Sequence, residues 1–502
     1  MSDFLSIERP APAPAEATAP DRDPALPAGL HTYRIETWGC QMNQHDSEKM
    51  AGLLQSFGLA PASTSRTADI YLLNTCSVRE KAAEKVFTRL GQLREIKDQR
   101  PHVVVGVCGC VAQQEQEHIF ERAPWVDLVM GPRMLGSLPD LIRDSRERRR
   151  VMAVFDPRDS LIPEFDAVQR VSRTRAYVTV MEGCNKTCTF CIVPFTRGRE
   201  AYRPPDLILR EVCECVAEGL PEVQLLGQNV NAWRSGDWDF ADLLSATAEV
   251  PGLKRVSFTT SHPLHFTNRI IDAMAAHESI CRFLHLPLQS GSDGVLKRMK
   301  RGYTTANYRD RIDRMRRRVP DIALATDIIV GFPGETEADF QATLNLIEEV
   351  RFDSIYSFLY SPRPGTIAAE LEDDVDEVVK KERLYRLQQA QDVIQSGLNA
   401  RWVDRVVEVL VEGPSARGGG QLCGRTSQHH PVNFDGGPEL MGTMVRVRIT
   451  GSRPHSLKGM HHEPLTAGGA PNIDRVETAI CEGTSGASSP EQGAYRRTGA
   501  TP

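Results

Sequence analysis

The sequence predicts an α/β protein in three folded parts: a parallel-sheet domain over residues 30–150, a partial barrel of six β-α repeats over 170–400, and a small antiparallel β-barrel over 403–466. Two observations carry this expectation. From residue 30 to about 400, short apolar runs alternate with stretches of helical period, the pattern of β-α units on a parallel sheet. After residue 403 the chain switches to short alternating segments with Gly-rich connections, which suit a small closed barrel. Residues 1–29 are rich in Pro and Ala and residues 467–502 in Gly, Ser and Thr; both are expected to be disordered tails, because neither buries enough apolar surface to order itself.

Length and composition bound the class. The chain has 502 residues, 40% apolar and 25% charged, with a net charge of −6, as expected of a globular protein of two to four domains. No run of about 18 apolar residues is present, and acidic residues and prolines stand where a signal peptide carries its apolar core, so the expected location is the cytoplasm, away from membranes. The chain has 12 cysteines, several of them grouped, which suits metal-holding thiols in a reducing compartment better than a secreted disulfide framework.

In the first part, Thr32–Thr37 reads as a strand leading to Cys40, with Asp46 and Ser47 as the cap of a helix through Phe57. Ile70–Leu73 reads as a buried strand before Cys76, followed by helix from Arg79 to Lys97; residues 103–107 read as a strand before Cys110. Three strands each deliver a cysteine at the carboxyl end, where parallel α/β sheets form their ligand crevice. Cys40, Cys76 and Cys110 can therefore converge, although a buried cysteine is also a small hydrophobe, the role expected for Cys108. In the second part, strands are expected near 175–180, 222–226, 254–259, 282–286, 323–330 and 354–359, with helices over 206–218 and 336–350. In the third part, VVEVLVEG, PVNFDG and MVRVRIT are the expected strands.

Directly after the first of the six repeats stands GCNKTCTFCIVPFTRGRE, with Cys184, Cys188 and Cys191 in C-x3-C-x2-C spacing. A closed structural zinc site wants a fourth Cys or His and a ferredoxin site a fourth Cys, and neither residue follows within twenty positions. Three thiolates with an open fourth position suit a 4Fe–4S cluster whose remaining iron takes a non-protein ligand, at the barrel mouth where such folds do chemistry.

This triplet, with Phe190 before its last cysteine, resembles the signature of the radical S-adenosylmethionine enzymes. ETWGCQMNQHDSE, NTCSVREKA and GCVAQQE, with VEVLVEGPSAR, CGRTSQHHPVNF and SLKG, narrow the resemblance to the methylthiotransferases, whose carboxyl-terminal barrel is the RNA-binding TRAM domain. TTSHPLHF, HLPLQSGSDGVLKRMKRGYT and YSPRPGT look most like the members that act on isopentenylated adenosine at position 37 of bacterial tRNA. The resemblance implies a Rossmann-like first domain, a radical barrel and a TRAM-like third domain. It also implies two 4Fe–4S clusters, one on Cys184, Cys188 and Cys191 that binds S-adenosylmethionine and a second on Cys40, Cys76 and Cys110 where sulfur is attached. Reductive cleavage of the cofactor then gives the radical that takes hydrogen from C2 of the adenine, and a second S-adenosylmethionine gives the methyl group. The implied partners are the tRNA anticodon loop and a reducing protein such as flavodoxin or ferredoxin; the sulfur donor stays unassigned, and a monomer is expected. Two departures stand out: Ala201 before Tyr202-Arg203-Pro204, and the HHP segment at 429–431.

Around the first triplet, Phe190 can pack on the cofactor adenine or in the core. Gln228, Asn229, Gln289, Ser290 and Asp327, at expected strand ends, can reach the cofactor or serve as loop caps. Arg197 and Arg199 can meet tRNA phosphates or pair with Glu182 and Glu200. Between 401 and 460, eight Arg or Lys stand against five Asp or Glu, and Arg425, Arg446, Arg448 and Lys458 are candidates for phosphate contacts. Within the enzyme class, threonylcarbamoyladenosine in tRNA or an aspartate of a ribosomal protein is the alternative substrate. A non-catalytic RNA-binding protein with structural metal sites is the alternative of another class.

Overall fold

The computed structural model describes residues 27, 29–64, 66–77, 80–148, 150–158, 162, 168–416, 418 and 420–464. The two terminal segments expected to be disordered lie outside the described residues, apart from Pro27 and Gly29. The first domain is a six-stranded, all-parallel sheet in the spatial order Ala60–Pro61, Thr32–Trp38, Ile70–Thr75, Val104–Gly109, Leu128–Met130, Val151–Ala153. IYLLNT and VVGVCG are buried at every position, as expected of central parallel strands covered on both faces. The last strand, Val151–Ala153, runs past the expected boundary at 150.

The helix after the first strand spans Gln41–Ser56 with Cys40 as its N-cap residue, six residues before the expected cap Asp46. Asp46 is therefore no cap. It lies in the second turn, buried, with its carboxylate turned toward another domain.

The second domain holds two three-stranded parallel sheets, ordered Arg255–Phe258, Glu222–Leu226, Arg175–Thr179 and Phe283–His285, Ala323–Val330, Ser354–Leu359. A parallel bridge between Val256 and Ile280 joins them, so six strands run in chain order around an arc. Among the described residues the first and last strands make no pairing, which leaves the barrel open. Asp239, Thr304 and Thr336 each build a reciprocal capping box with the residue three further on, which fixes where three helices begin. One continuous cluster running from Ala176 to Ile394 fills the arc.

The third domain is a closed five-stranded barrel, Val406–Pro414, Gln421–Arg425, Pro431–Asp435, Ser456–Pro464 and Met444–Arg453 in spatial order. Val409, Val411, Val432, Phe434, Val445, Val447 and Ile449 fill it. Two of the five strands escaped the sequence reading. Gln421–Arg425 is interrupted by Gly424, where a Cβ would sit 2.3 Å from the Leu410 carbonyl oxygen, so close packing removes the alternating signal there.

Candidate active site

The three central strands of the first domain end level with one another, since Trp38 pairs with Thr75 and Thr75 with Gly109. Cys40, Cys76 and Cys110 follow within two residues of those ends, and the Cys76 amide donates to the Trp38 carbonyl at 2.9 Å. Two asparagines brace this edge. Asn43 Nδ2 donates to Asn74 Oδ1 (3.2 Å), Asn74 Nδ2 donates to the Asn43 carbonyl (2.8 Å), and the Cys40 thiol donates to Asn43 Oδ1 (3.3 Å). The Cys40 thiol is drawn down to about 6, chiefly by its hydrogen bond with Cys76 and, against the opposing effect of burial, by the charge of Arg197. Burial lifts the Cys110 thiol, and a hydrogen bond from Arg197 opposes the lift.

Cys184, Cys188 and Cys191 lie on the loop between Met181–Glu182 and Ala201–Tyr202, all half-buried. Gly183 sets the turn: at φ +80° it takes a conformation that side chains resist, and a Cβ there would meet the Arg199 carbonyl oxygen at 2.1 Å. Its amide donates to Gln228 Oε1 (2.5 Å), while the Cys184 amide donates to the Gly198 carbonyl (3.1 Å). Arg301, buried, donates to Cys188 Sγ at 3.3 Å and to the Pro287 carbonyl at 3.1 Å. Burial pushes Cys184 up to about 11 and Cys191 to about 12, so ligation at either must release a proton. Gly183→Ala is expected to cost about 1–3 kcal/mol in local backbone strain. It should lower iron binding at this triplet while sparing Cys40, Cys76 and Cys110, as iron titration of single-triplet variants would read.

Both donor sets suit a cluster better than a single ion. Thiolates around one tetrahedral ion stand about 3.8 Å apart, given a metal-sulfur bond of about 2.3 Å. Among the described residues, Glu222, Cys281 and His429 form the one set of His, Cys, Asp or Glu with ligand atoms all within 4.8 Å of one another. Three free cysteines at each site are the number that a 4Fe–4S cluster with one open iron takes.

The two triplets face each other across the domain junction. Arg197, on the loop of the second triplet and 2% exposed, donates to Asp46 Oδ2 at 2.5 Å, and its charge acts on the Cys40 and Cys110 thiols of the first. Glu182 lies 3.8 Å from Arg197 and 3.7 Å from Arg133, and His45 Nδ1 meets Thr179 Oγ1 at 2.8 Å.

Comparison with known proteins gives this arrangement its context. Residues 32–131 match the uncharacterized protein family UPF0004, 178–347 the radical SAM superfamily and 401–460 the TRAM domain. The tRNA-2-methylthio-N(6)-dimethylallyladenosine synthase of Haemophilus influenzae (strain PittEE) is 48% identical over 436 residues, 85% of this chain and 91% of that one. The synthase of the same name from Bordetella bronchiseptica is 47% identical over 468 residues, 90% of this chain and 96% of its own. The chain belongs to the tRNA-2-methylthio-N(6)-dimethylallyladenosine synthase family. Its fold is also that of the radical S-adenosylmethionine methyltransferase TsrM from Kitasatospora setae, at 15% identity, a TM-score of 0.51 and coverage of 68% of this chain and 77% of TsrM.

In this family member the remaining sequence-predicted residues divide. Gln228 and Asn229 stand beside the triplet loop, Asn229 donating to Glu200 Oε1 at 2.9 Å. Phe190 packs against the cluster of Val295, Met299, Phe332, Tyr360 and Ala368. Gln289 adopts φ +77°, and its amide donates to the Asp327 carbonyl. Ser290 takes the loop role, the second of its two expected readings: its hydroxyl lies 3.4 Å from Thr343 Oγ1 and accepts from the Ser292 amide. Asp327 lies inside its strand, not at the end, with His285 Nε2 3.2 Å from its carboxylate.

Of the two readings of Arg197, the buried guanidinium follows the ion-pair one: it binds Asp46 and lies 3.8 Å from Glu182, so it is not presented to a phosphate. Arg199 is exposed, as are Arg446, Arg448 and Lys458 on the outer face of the third domain. Arg425 is half-exposed and paired with Glu412 at 3.2 Å. Asn43, Asn74 and Arg301 were missed: Arg301 acts across 113 positions, and only the fold brings it to Cys188.

Proposed function

We propose that this enzyme converts N6-isopentenyladenosine, next to the tRNA anticodon at position 37, into its 2-methylthio derivative. Cys184, Cys188 and Cys191 hold the 4Fe–4S cluster that binds S-adenosylmethionine, and Cys40, Cys76 and Cys110 hold a second. When bound, these groups supply a radical able to take hydrogen from an unactivated carbon, together with the sulfur and the methyl group that replace it.

The observation that carries this reading is the opposition of two cysteine triplets across one junction, bridged by Arg197. Arg301 directs its charge at Cys188, and Gln228 holds the Gly183 turn, so the triplet Cys184, Cys188 and Cys191 is orientated before anything binds. Arg199, Arg446, Arg448 and Lys458 supply exposed positive charge for tRNA phosphates, and the base is read where it leaves the anticodon loop. The enzyme works as a cytoplasmic monomer fed by a small reducing protein such as flavodoxin or ferredoxin. In keeping with this, no helix among the described residues is long and apolar enough to cross a membrane.

Mass spectrometry of tRNA nucleosides from cells lacking the gene tests the substrate. Isopentenyladenosine should accumulate without its methylthio form, and the gene in trans should restore it. An unchanged isopentenyladenosine profile with loss of methylthio-threonylcarbamoyladenosine rejects this substrate in favour of the alternative.

A further inference from the structure

At the opposite end of the partial barrel from Cys184, the amino ends of its strands rest on the third domain. Glu222 opens the strand Glu222–Leu226, and Cys281 precedes the strand Phe283–His285 by two residues. His429 comes from the loop between the barrel strands Gln421–Arg425 and Pro431–Asp435. Glu222 and Cys281 are each 1% exposed, and His429 Nε2 is shut off from solvent without a hydrogen-bond partner. The His429 ring is stacked on Phe283 at 4.3 Å and its backbone is left-handed at φ +62°, so two domains hold the imidazole in place.

We propose that Glu222, Cys281 and His429 form a site for a single divalent transition ion, zinc by its donor set, that staples the third domain to the barrel floor. One ligand atom from each residue lies within 4.8 Å of the others, close enough to converge on one ion with small adjustments. Carboxylate, thiolate and imidazole together are a mixed donor set that suits zinc and leaves a fourth corner for water. Binding takes the proton from the Cys281 thiol and releases it to solvent; the thiolate and the Glu222 carboxylate then balance the two charges of the ion.

Nearby positive charge does not close the site. Arg175 donates to Glu222 Oε1 at 2.6 Å and is shared with Glu412 at 2.9 Å, and Ser257 donates to the same oxygen at 3.4 Å. Hydrogen bonds of this kind orientate a ligating carboxylate and leave its other oxygen for a metal. Arg255 spends its guanidinium on the Arg425 and Glu408 carbonyls, at 2.6 and 3.3 Å. The site rests on none of the six cluster cysteines, so it stands or falls apart from the proposed reaction.

The test is metal analysis of the full chain, grown with zinc, isolated without oxygen and reconstituted with iron and sulfide. Wild type should hold about one zinc beside its iron. His429→Gln and Cys281→Ser should lose it while keeping the wild-type iron content, which also reports that each variant folds. Zinc absorption-edge spectroscopy of the wild type should show one sulfur at about 2.3 Å with nitrogen and oxygen at about 2.0–2.2 Å. A wild type without zinc overturns the proposal. So does zinc that persists in both variants, or a shell of two or three sulfurs, either of which would put the metal on the cluster cysteines.

Discussion

Replacing Cys184 with alanine is expected to leave a folded protein that holds about four irons where the wild type should hold about eight, and that makes no methylthiolated product. The fold survives because Cys184, Cys188 and Cys191 are half-buried loop residues outside every hydrophobic cluster of the molecule. Loss of function is complete because the open iron needs three protein thiolates, and no other cysteine stands on that loop to substitute. The reverse replacement, Cys110→Ala, removes the other set of about four irons. Cys110 is buried where Cys184 is half-buried, so its replacement should lower thermal stability more than Cys184→Ala does. Iron analysis with electron paramagnetic resonance of each variant reads the partition. Iron unchanged, or entirely lost, in Cys184→Ala sinks the assignment of two separate clusters.

Much of this site could be read from sequence because its signals are short-range. All six barrel strands were expected within two residues of their observed ends, since central parallel strands are continuous apolar runs with few alternatives. The cysteines could be read because strand ends locate the crevice in this class of sheet. What failed was long-range. The start of Gln41–Ser56 was missed because its N-cap residue is Cys40, which makes no capping side-chain hydrogen bond, while Asp46 further on looked like a cap. Asp46 instead answers Arg197, 151 positions away. For Arg197 the local reading left an anion contact and pairing with Glu182 or Glu200 both open; Glu182 does lie 3.8 Å away, but the closer partner, Asp46, is supplied only by the docking of two domains. Nothing local distinguishes Arg301 from the other basic residues in KRMKRG.

Arg197→Ala is expected to destabilise the enzyme by about 3–5 kcal/mol, the usual result of removing one partner from a buried ion pair. Arg197 and Asp46 side chains are each 2% exposed, so neither charge has water to fall back on. The pair joins the cysteine loop of one domain to the cysteine helix of the other, so the loss should fall on the junction first and on each domain's own core second. Arg197→Lys keeps the charge beside Cys40 and Cys110 but loses the planar guanidinium that meets Asp46, and should recover part of the stability. Thermal unfolding of the three proteins gives the first comparison, and iron retention by each triplet after mild chelation gives the second. The expected order is preferential loss from Cys40, Cys76 and Cys110, because the charge of Arg197 acts on that set and its partner Asp46 sits on the helix that Cys40 caps, while the loop holding Cys184 keeps its bonds to Gln228 and Arg301. Equal loss from both triplets would mean that Arg197 only fastens the domains together. Loss confined to the first would make it a positioning residue for the second cluster.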